Sequence, residues 1–242
     1  MGISSLSAML VATLIVIAGL ASNSQYAIFM PGLLAGAWLT VQIAALGCVV
    51  AVVMATLAAL LRLYGHWALR WLATTYVEIF RGTSALVQLF WLFFVLPYFG
   101  ISLDPFTVGV IGLGLNVGAY GAEVVRGAVQ SVQRGQWEAS VALNMTRWQA
   151  LRRIILPQAF VAMIPPWGNL FIELLKSTAL VSLITLGDLT FRAQQMNQTT
   201  MKTIPIFTLV LLMYLAMSLS LTIFMRWLEQ NAARGMARGR GH

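Results

Sequence analysis

A few ionisable side chains lie within long apolar stretches of the chain, and their types and spacing suggest particular chemistry. Glu173 and Lys176 are three residues apart, so a helix would place both on one face. Charged groups in apolar surroundings usually face a polar cavity or an oppositely charged neighbour. This pair could therefore contact a small molecule that carries both charges, or form an internal ion pair, and the spacing leaves both interpretations open.

Other polar residues in the apolar stretches extend the first interpretation. The candidates for a polar path through the molecule are Asn116, Tyr120, Asn169, Glu173, Lys176 and Thr178. An acidic group, a donor for a carboxylate and an aromatic wall would together suit a compact zwitterion. Two further pairs with the same spacing, Glu123–Arg126 and Glu78–Arg81, are predicted to be ion pairs that hold helices in register.

Several chemistries are not supported by the sequence. A phosphate-binding loop needs glycines six and one residues before a Lys-Ser or Lys-Thr pair. Leu170 and Leu175 occupy those positions before Lys176-Ser177, so we expect no nucleotide or other cofactor to be bound by this chain. No Ser or Cys nucleophile has a His nearby, and no metal cluster is indicated. The single cysteine, Cys48, excludes an intramolecular disulfide.

The elements that must position these residues are membrane helices. The chain has 242 residues, of which 60% are hydrophobic and 9% charged, with a mean hydropathy of +0.83. A soluble domain carries about 25% charged residues, so this chain could not solvate its surface in water. Apolar runs of sufficient length predict an all-α polytopic protein with spans over 3–21, 33–61, 84–100, 106–124, 158–181 and 205–227. Pro165-Pro166 is expected to interrupt the fifth span.

The basic residues predict an orientation. Of the 15 lysines and arginines, twelve fall on one side of the alternating spans. They are Arg62, Arg70 and Arg81 in one loop, Arg126, Arg134, Arg147, Arg152 and Arg153 in the longest polar stretch, and Arg226, Arg234, Arg238 and Arg240 after the last span. Such asymmetry predicts that the loop over 126–157, with its polar segment 133–157, and the C-terminus lie in the cytoplasm.

The first apolar segment has three possible interpretations. Met9–Leu20 resembles the core of a signal peptide, but residues 1–8 lack the basic residues that usually precede one. A retained helix is therefore favoured over a removed signal. Alternatively, the true start codon lies downstream, because the pattern of the main domain could begin at Pro31.

The polar stretch over 133–157 predicts a helix, a tight turn and a second helix. Gln136–Leu143 favours a short helix, and Asn144 suits the left-handed residue that ends one. Thr146 and Gln149 fit a capping box, and the second helix should end near Pro157. Trp137, Val141, Trp148 and Leu151 would then form a docking surface. A hairpin lying on lipid headgroups is the alternative interpretation.

The same stretch resembles the EAA loop of ABC importer permeases. Glu138-Ala139-Ser140, Asn144 and Ile154-x-Leu156-Pro157 have the family's spacing, with Ser140 in place of the second Ala and Asn144 in place of the Gly. Further likeness to the histidine/glutamine uptake group lies in Tyr76–Thr83, Gly118–Gly127 and Gly168–Leu180. Within that group, Val87–Pro97, Gly114–Gly127, Ala142–Met145 and Glu173–Leu189 look most like permeases for ectoine and hydroxyectoine.

This resemblance implies a fold, partners and a division of roles. It implies the type I, MetI-like core of five membrane helices, here with a probable extra N-terminal helix. The implied divisions are an N-terminal segment 1–30, a permease domain 31–230 that contains the coupling loop 133–157, and a basic tail 231–242. The implied partners are an ATPase subunit that holds ATP-Mg, a second permease chain that is a copy or a paralogue, an extracytoplasmic solute-binding protein, and membrane lipid.

The resemblance also assigns residues and a location. The residues implied to contact the ATPase are Glu138, Ala139, Ser140, Asn144, Arg147, Arg152, Leu156 and Pro157. The chain would be a non-enzymatic subunit in the cytoplasmic membrane that imports ectoine, hydroxyectoine or a polar amino acid. The alternative is a self-sufficient secondary transporter or channel whose loop lies on lipid.

Overall fold

The computed structural model describes residues 2–239, and every regular element in that range is a helix. The α-helices are α1 (Ile3–Ala21), α2 (Ser24–Ala27), α3 (Met30–Tyr64), α4 (Trp67–Gly82), α5 (Ala85–Phe90), α6 (Pro105–Ser131), α7 (Arg134–Ala142), α8 (Arg147–Ala150), α9 (Leu156–Ser177), α10 (Leu189–Thr200) and α11 (Thr203–Gly239). Trp91–Val95 and Leu151–Ile155 are π-helical, whereas Leu96–Phe99 and Thr178–Ile184 are 3₁₀-helical. The predicted all-α fold is confirmed.

Five apolar helical stretches of the described chain are long enough to cross a membrane. They are Ile3–Ala21, Gln25–Tyr64, Pro105–Ser131, Arg147–Ile184 and Thr203–Ala233. Each contains one predicted span, over 3–21, 33–61, 106–124, 158–181 and 205–227 respectively. α1 packs against α11 rather than lying apart from the bundle.

The sixth predicted span, over 84–100, is part of a bent element. Ala85–Phe99 meets α4 at an angle of 108°, and the two count as a sixth span if they are taken together. The prediction of one loop containing Arg70 and Arg81 was wrong, because both residues lie in α4. α4 is amphipathic, so polar residues interrupt its apolar residues at helical spacing. A search for long uninterrupted apolar runs therefore does not detect this helix.

Side chains satisfy the backbone where α4 ends and α5 begins. The side-chain amide of Gln88 donates to the carbonyl of Phe80 at 2.9 Å and to the hydroxyl of Thr83 at 2.6 Å. The Asn116 amide, from α6, donates to the same Phe80 carbonyl at 3.1 Å. A helix can end inside a membrane only where such partners replace its lost backbone bonds.

The prolines near α9 do not interrupt it. Pro165 and Pro166 lie inside the continuous helix, although we expected them to break it. Pro157 does not end the preceding helix either, because the π-helical turn Leu151–Ile155 leads directly into α9 and the Leu156 amide donates to the Leu151 carbonyl. A wider turn relieves the clash between a proline ring and the preceding carbonyls.

The centre of the bundle is a close contact between α3 and α6. A Cβ atom placed on Gly114 would lie 2.7 Å from Cβ of Val50, and one on Gly118 would lie 3.2 Å from the carbonyl oxygen of Ala51. Small residues allow membrane helices to approach in this way and gain dispersion contacts that lipid does not provide. Buried Ala51, Ala55 and Ala59 continue the contact along α3.

A second buried cluster joins α10 to α3 and α11. Asp188 is fully buried, and its carboxylate accepts hydrogen bonds from the amides of Thr190 and Phe191 at the start of α10. The hydroxyl of Thr40 accepts from the Leu189 amide at 3.2 Å. Burial raises the pKa of Asp188 to about 6.

The basic C-terminal segment continues the last helix. α11 extends from Thr203 to Gly239 and thus includes most of the predicted tail 231–242. Arg240 and the last two residues lie outside the described range.

Candidate functional site

The loop between α6 and α9 has the predicted helix-turn-helix form. α7 ends at Ala142, and Asn144 adopts a left-handed conformation with φ of 56°. The Thr146 hydroxyl accepts from the Gln149 amide, and the Gln149 side chain accepts from the Thr146 amide, so both halves of the capping box are present. The left-handed Asn144 and the capping box therefore fix the turn between α7 and α8 by local backbone contacts.

The outer surface of this loop is exposed and apolar between charged groups. Val141, Leu143 and Trp148 are 73%, 71% and 65% exposed. Glu138 and Ala139 are exposed beside them. Such a patch is typical of a surface that binds another protein or a membrane.

The remaining predicted contact residues fall into two groups. Asn144, Arg147 and Arg152 are exposed, so each could reach a partner. Ser140 is buried and donates to the Trp137 carbonyl at 2.7 Å, which gives it a role within α7. Leu156 and Pro157 begin α9.

The prediction that Leu151 belongs to the docking surface was wrong. Leu151 is only 3% exposed and packs in the main core, and the preceding Ala150 is buried too, so this side of the loop faces the membrane helices instead of a partner. Trp137 is half-buried and lines a hollow of about 640 Å³ with Glu138, Arg147 and Tyr64 at the end of α3. The hollow lies between the loop and the membrane helices.

Three of the predicted path residues meet at one open cavity. Asn169, Glu173 and Lys176 on α9 line a cavity of about 520 Å³ together with Ser177. Glu173 and Lys176 are both exposed, and within residues 2–239 they form no ion pair with each other at 4.0 Å or less. Opposite charges that are close but not bonded can each contact a zwitterionic ligand.

The other three predicted path residues lie elsewhere. Asn116 binds the backbone at the α4–α5 bend, and Tyr120 donates to the Arg81 carbonyl at 3.4 Å. Thr178 is fully buried, and its hydroxyl donates to the Leu175 carbonyl at 2.7 Å. The structure therefore does not bring these three residues to the cavity on α9.

A charged cluster on three helices includes a partner that sequence spacing missed. Glu123 on α6 binds Arg126 at 2.5 Å, as predicted, and also binds Arg62 of α3. Arg81 approaches Glu123 at 3.9 Å and lies over the Tyr120 ring, so the predicted Glu78–Arg81 pair was wrong. Arg62 is 61 residues from Glu123 in the sequence. The one sequence signal for this contact is that Arg62 lies at the end of an apolar run.

Comparisons with known proteins agree with the geometry. Residues 47–234 match the family described as the binding-protein-dependent transport system inner membrane component. A probable amino-acid ABC transporter permease of Sinorhizobium fredii is 46% identical over 213 residues, which are 86% of this chain and 88% of that protein. The L-cystine permease of Bacillus subtilis is 43% identical over 70% of this chain and 72% of its own length.

Two further similarities concern an enteric permease and solved structures. The glutamine permease of Escherichia coli is 36% identical, with coverage of 83% of this chain and 93% of that protein. A crystal structure of an amino acid ABC transporter with histidines aligns with a TM-score of 0.80 at 33% identity, covering 85% of this chain and 96% of the other. The inward-facing MetNI methionine transporter, 20% identical with a TM-score of 0.68, shares the fold over 84% of this chain and 97% of its own.

The family match covers most of the chain and includes the exposed loop and the cavity on α9. The names of these relatives describe permease proteins of transport systems. The protein is therefore a multi-pass inner-membrane protein of the binding-protein-dependent transport family, the permease subunit of an amino-acid ABC importer.

Proposed function

We propose that this permease imports a small zwitterionic solute and is driven by a separate ATPase that docks on α7 and α8. The observation that carries the proposal is the exposed helix-turn-helix, in which Glu138 and Trp148 lie beside uncovered apolar side chains. ATP and its Mg²⁺ would be held by that ATPase, since this chain lacks a phosphate-binding loop.

The orientation in this proposal follows from the basic residues. The loop 133–157 and the C-terminus lie in the cytoplasm, where a soluble ATPase would be found. A second permease chain, as a copy or a paralogue, completes the pathway, and an extracytoplasmic binding protein delivers the solute. ATP-driven closure of the ATPase pair would then rock the permease chains between inward-facing and outward-facing states.

The solute class follows from the cavity on α9. The Glu173 carboxylate can accept from the ammonium group of a solute, while Lys176 and the amide of Asn169 can donate to its carboxylate. An α-amino acid has this pair of charges, and similar proteins carry names that specify glutamine and L-cystine. Ectoine also carries both charges, and it stays a candidate because of the sequence likeness described above.

Reversal of charge at Glu138 tests the docking role. We expect Glu138→Lys to reduce ATP-driven uptake at least tenfold in reconstituted vesicles, because the variant places a basic group at the ATPase contact. Glu78→Lys is the matched control, since Glu78 is exposed on α4, outside the loop. Measurement of ATPase subunits that co-purify with each variant distinguishes lost docking from lost folding. Full uptake and full co-purification in Glu138→Lys would refute the role of the loop.

A competition experiment identifies the solute class. The chain is expressed with its neighbouring transport subunits, and uptake of radiolabelled glutamine, histidine, cystine and ectoine is measured separately. Inhibition of amino-acid uptake by excess ectoine supports the ectoine-type solute, whereas unaffected uptake limits the proposal to amino acids. Uptake that persists without ATP but responds to an ion gradient would contradict the importer and favour the secondary transporter.

A further inference from the structure

An apolar groove lies on the face of α9 opposite the cavity that contains Glu173. Phe160, Ile164 and Trp167 follow one face of the helix at spacings of four and three residues, and all three line the groove. Asn169, Glu173 and Lys176 lie about half a turn away, on the proposed solute path. The groove is thus separate from that path.

The groove has the depth of one membrane leaflet. Its wall on α3 runs from Val52 to Tyr64, and twelve residues of helix span about 18 Å. Half of a bilayer's hydrocarbon core is about 15 Å thick. The enclosed volume is about 440 Å³, and almost all of the surrounding side chains are apolar. A single extended hydrocarbon chain fits this shape.

Two basic residues lie beside one end of the groove. Leu151 and Leu156, which line the groove, flank Arg152 and Arg153. Arg153 is exposed and lies in the π-helical turn between Leu151 and Leu156, so its side chain starts within about one turn of two residues that line the groove. Tyr64, which lines the same end of the groove, is 51% exposed, and tyrosines are enriched where a protein meets the membrane–water interface.

We propose that this groove binds an anionic phospholipid, with one acyl chain between α3, α6, α9 and α11 and the phosphate at Arg153. The proposal goes beyond the proposed function and takes from it only the cytoplasmic orientation of the loop end. That leaflet carries the anionic surface potential that attracts basic residues. The lipid would contact the helix that continues α8, so it would support the element through which the loop joins the solute path.

Photo-crosslinking tests the site without requiring transport. The full complex is reconstituted into nanodiscs with phosphatidylglycerol that carries a diazirine on one acyl chain, and labelled residues are mapped by mass spectrometry. We expect label on Phe160, Met163 and Met225, and about fivefold less with a phosphatidylcholine probe of the same chain. Because the readout is covalent labelling, a complex that fails to import any solute still tests the lipid site.

Variants separate the groove from the general lipid surface. Thr56→Trp and Val52→Phe should fill the groove and remove the label. Val49→Trp should leave the label unchanged, because Val49 is exposed on α3 and does not line the groove. Arg153→Gln should reduce the preference for phosphatidylglycerol over phosphatidylcholine to less than about twofold.

Two results would overturn the proposal. The first is label spread evenly over all exposed apolar helices, with no dependence on headgroup. The second is rapid crosslinking of Phe160→Cys to a second copy of the chain by a short bifunctional maleimide, which would show that protein rather than lipid covers the groove. Cys48 is half-buried in α3, so a Cys48→Ala background removes its contribution.

Discussion

Two carboxylates in the bundle, Glu123 on α6 and Glu173 on α9, differ in how completely their charge is matched. Glu123 lies within 4.0 Å of Arg62, Arg81 and Arg126, and its side chain is only 22% exposed. Glu173 is exposed at a cavity and has no ion pair in the described range. We call the Glu123 charge saturated, because arginines surround it, and the Glu173 charge unsaturated, because it has no ion pair within residues 2–239. The comparison indicates that a saturated charge holds helices together, whereas an unsaturated charge beside a cavity is available to a ligand.

The largest expected effect comes from removal of the saturated charge. Glu123→Gln leaves two cationic side chains, Arg62 and Arg126, without their counter-ion in a partly buried position. We expect a loss of about 2–3 kcal/mol in the free energy of unfolding. Thermal unfolding in mild detergent, followed by tryptophan fluorescence, measures it. Glu78→Gln is the control. Equal stability of the two variants would show that the Glu123 ion pairs do not stabilise the fold.

The unsaturated pair should affect transport instead of folding. Glu173→Ala and Lys176→Ala each remove a charge-assisted hydrogen bond to the solute, so we expect about tenfold slower uptake with normal assembly. Initial uptake rates and co-purification of the ATPase give the two readouts. Lys202→Ala is the control, because Lys202 is an exposed basic residue just before α11 and away from the cavity. Normal uptake by both cavity variants would refute their place in the path.

Asp188 sharpens the comparison, because backbone amides rather than cations stabilise this carboxylate. Its pKa is raised from an ordinary value near 3.9 to about 6 by burial. The folded state therefore binds a proton more tightly, and its stability should be greatest below about pH 4 and fall as the pH rises through 6. Asp188→Asn mimics the protonated form, and it should flatten the dependence of unfolding temperature on pH between 4 and 7. A wild-type curve that rises over this range would contradict the assignment.

The smallest expected effect lies at the exposed edge of the Glu123 cluster. Arg81 approaches Glu123 at 3.9 Å, and its guanidinium carbon lies 5.5 Å from the centre of the Tyr120 ring. Because its side chain is 37% exposed, Arg81→Gln should cost less than about 1 kcal/mol. The same thermal assay measures it against Glu123→Gln. A loss of stability as large as that of Glu123→Gln would show that solvent exposure does not determine how much each charge in the cluster contributes.

Local signals in the sequence predicted local structure well. Apolar run length located five spans, and the side chains of Thr146 and Gln149 predicted the cap of α8 because the whole motif lies within four residues. The spacing of Glu123 and Arg126 also predicted their contact. The cavity on α9 could be predicted in part, since Asn169, Glu173 and Lys176 lie within two turns of one helix.

Contacts between distant segments could not be predicted in this way. The Glu123–Arg62 pair and the Asn116–Phe80 bond join residues 61 and 36 positions apart, and no spacing rule reaches that far. The π-helical turn Leu151–Ile155 was not predicted either, and it shifts every later side chain by part of a turn. Pro165 and Pro166 favoured a break, but α9 continues through them, and the adjacent residues Ile164 and Trp167 are buried in the core.

The contact between α3 and α6 limits which parts of the protein can change during divergence. At Gly114 even a methyl group would lie 2.7 Å from Val50, so α3 and α6 would have to separate to accept any larger residue. Glu173 and Lys176 are on a different helix and face an open cavity. A descendant of this chain could therefore exchange its cavity residues, and with them its cargo, while the glycine contact keeps the same spacing between the two central helices.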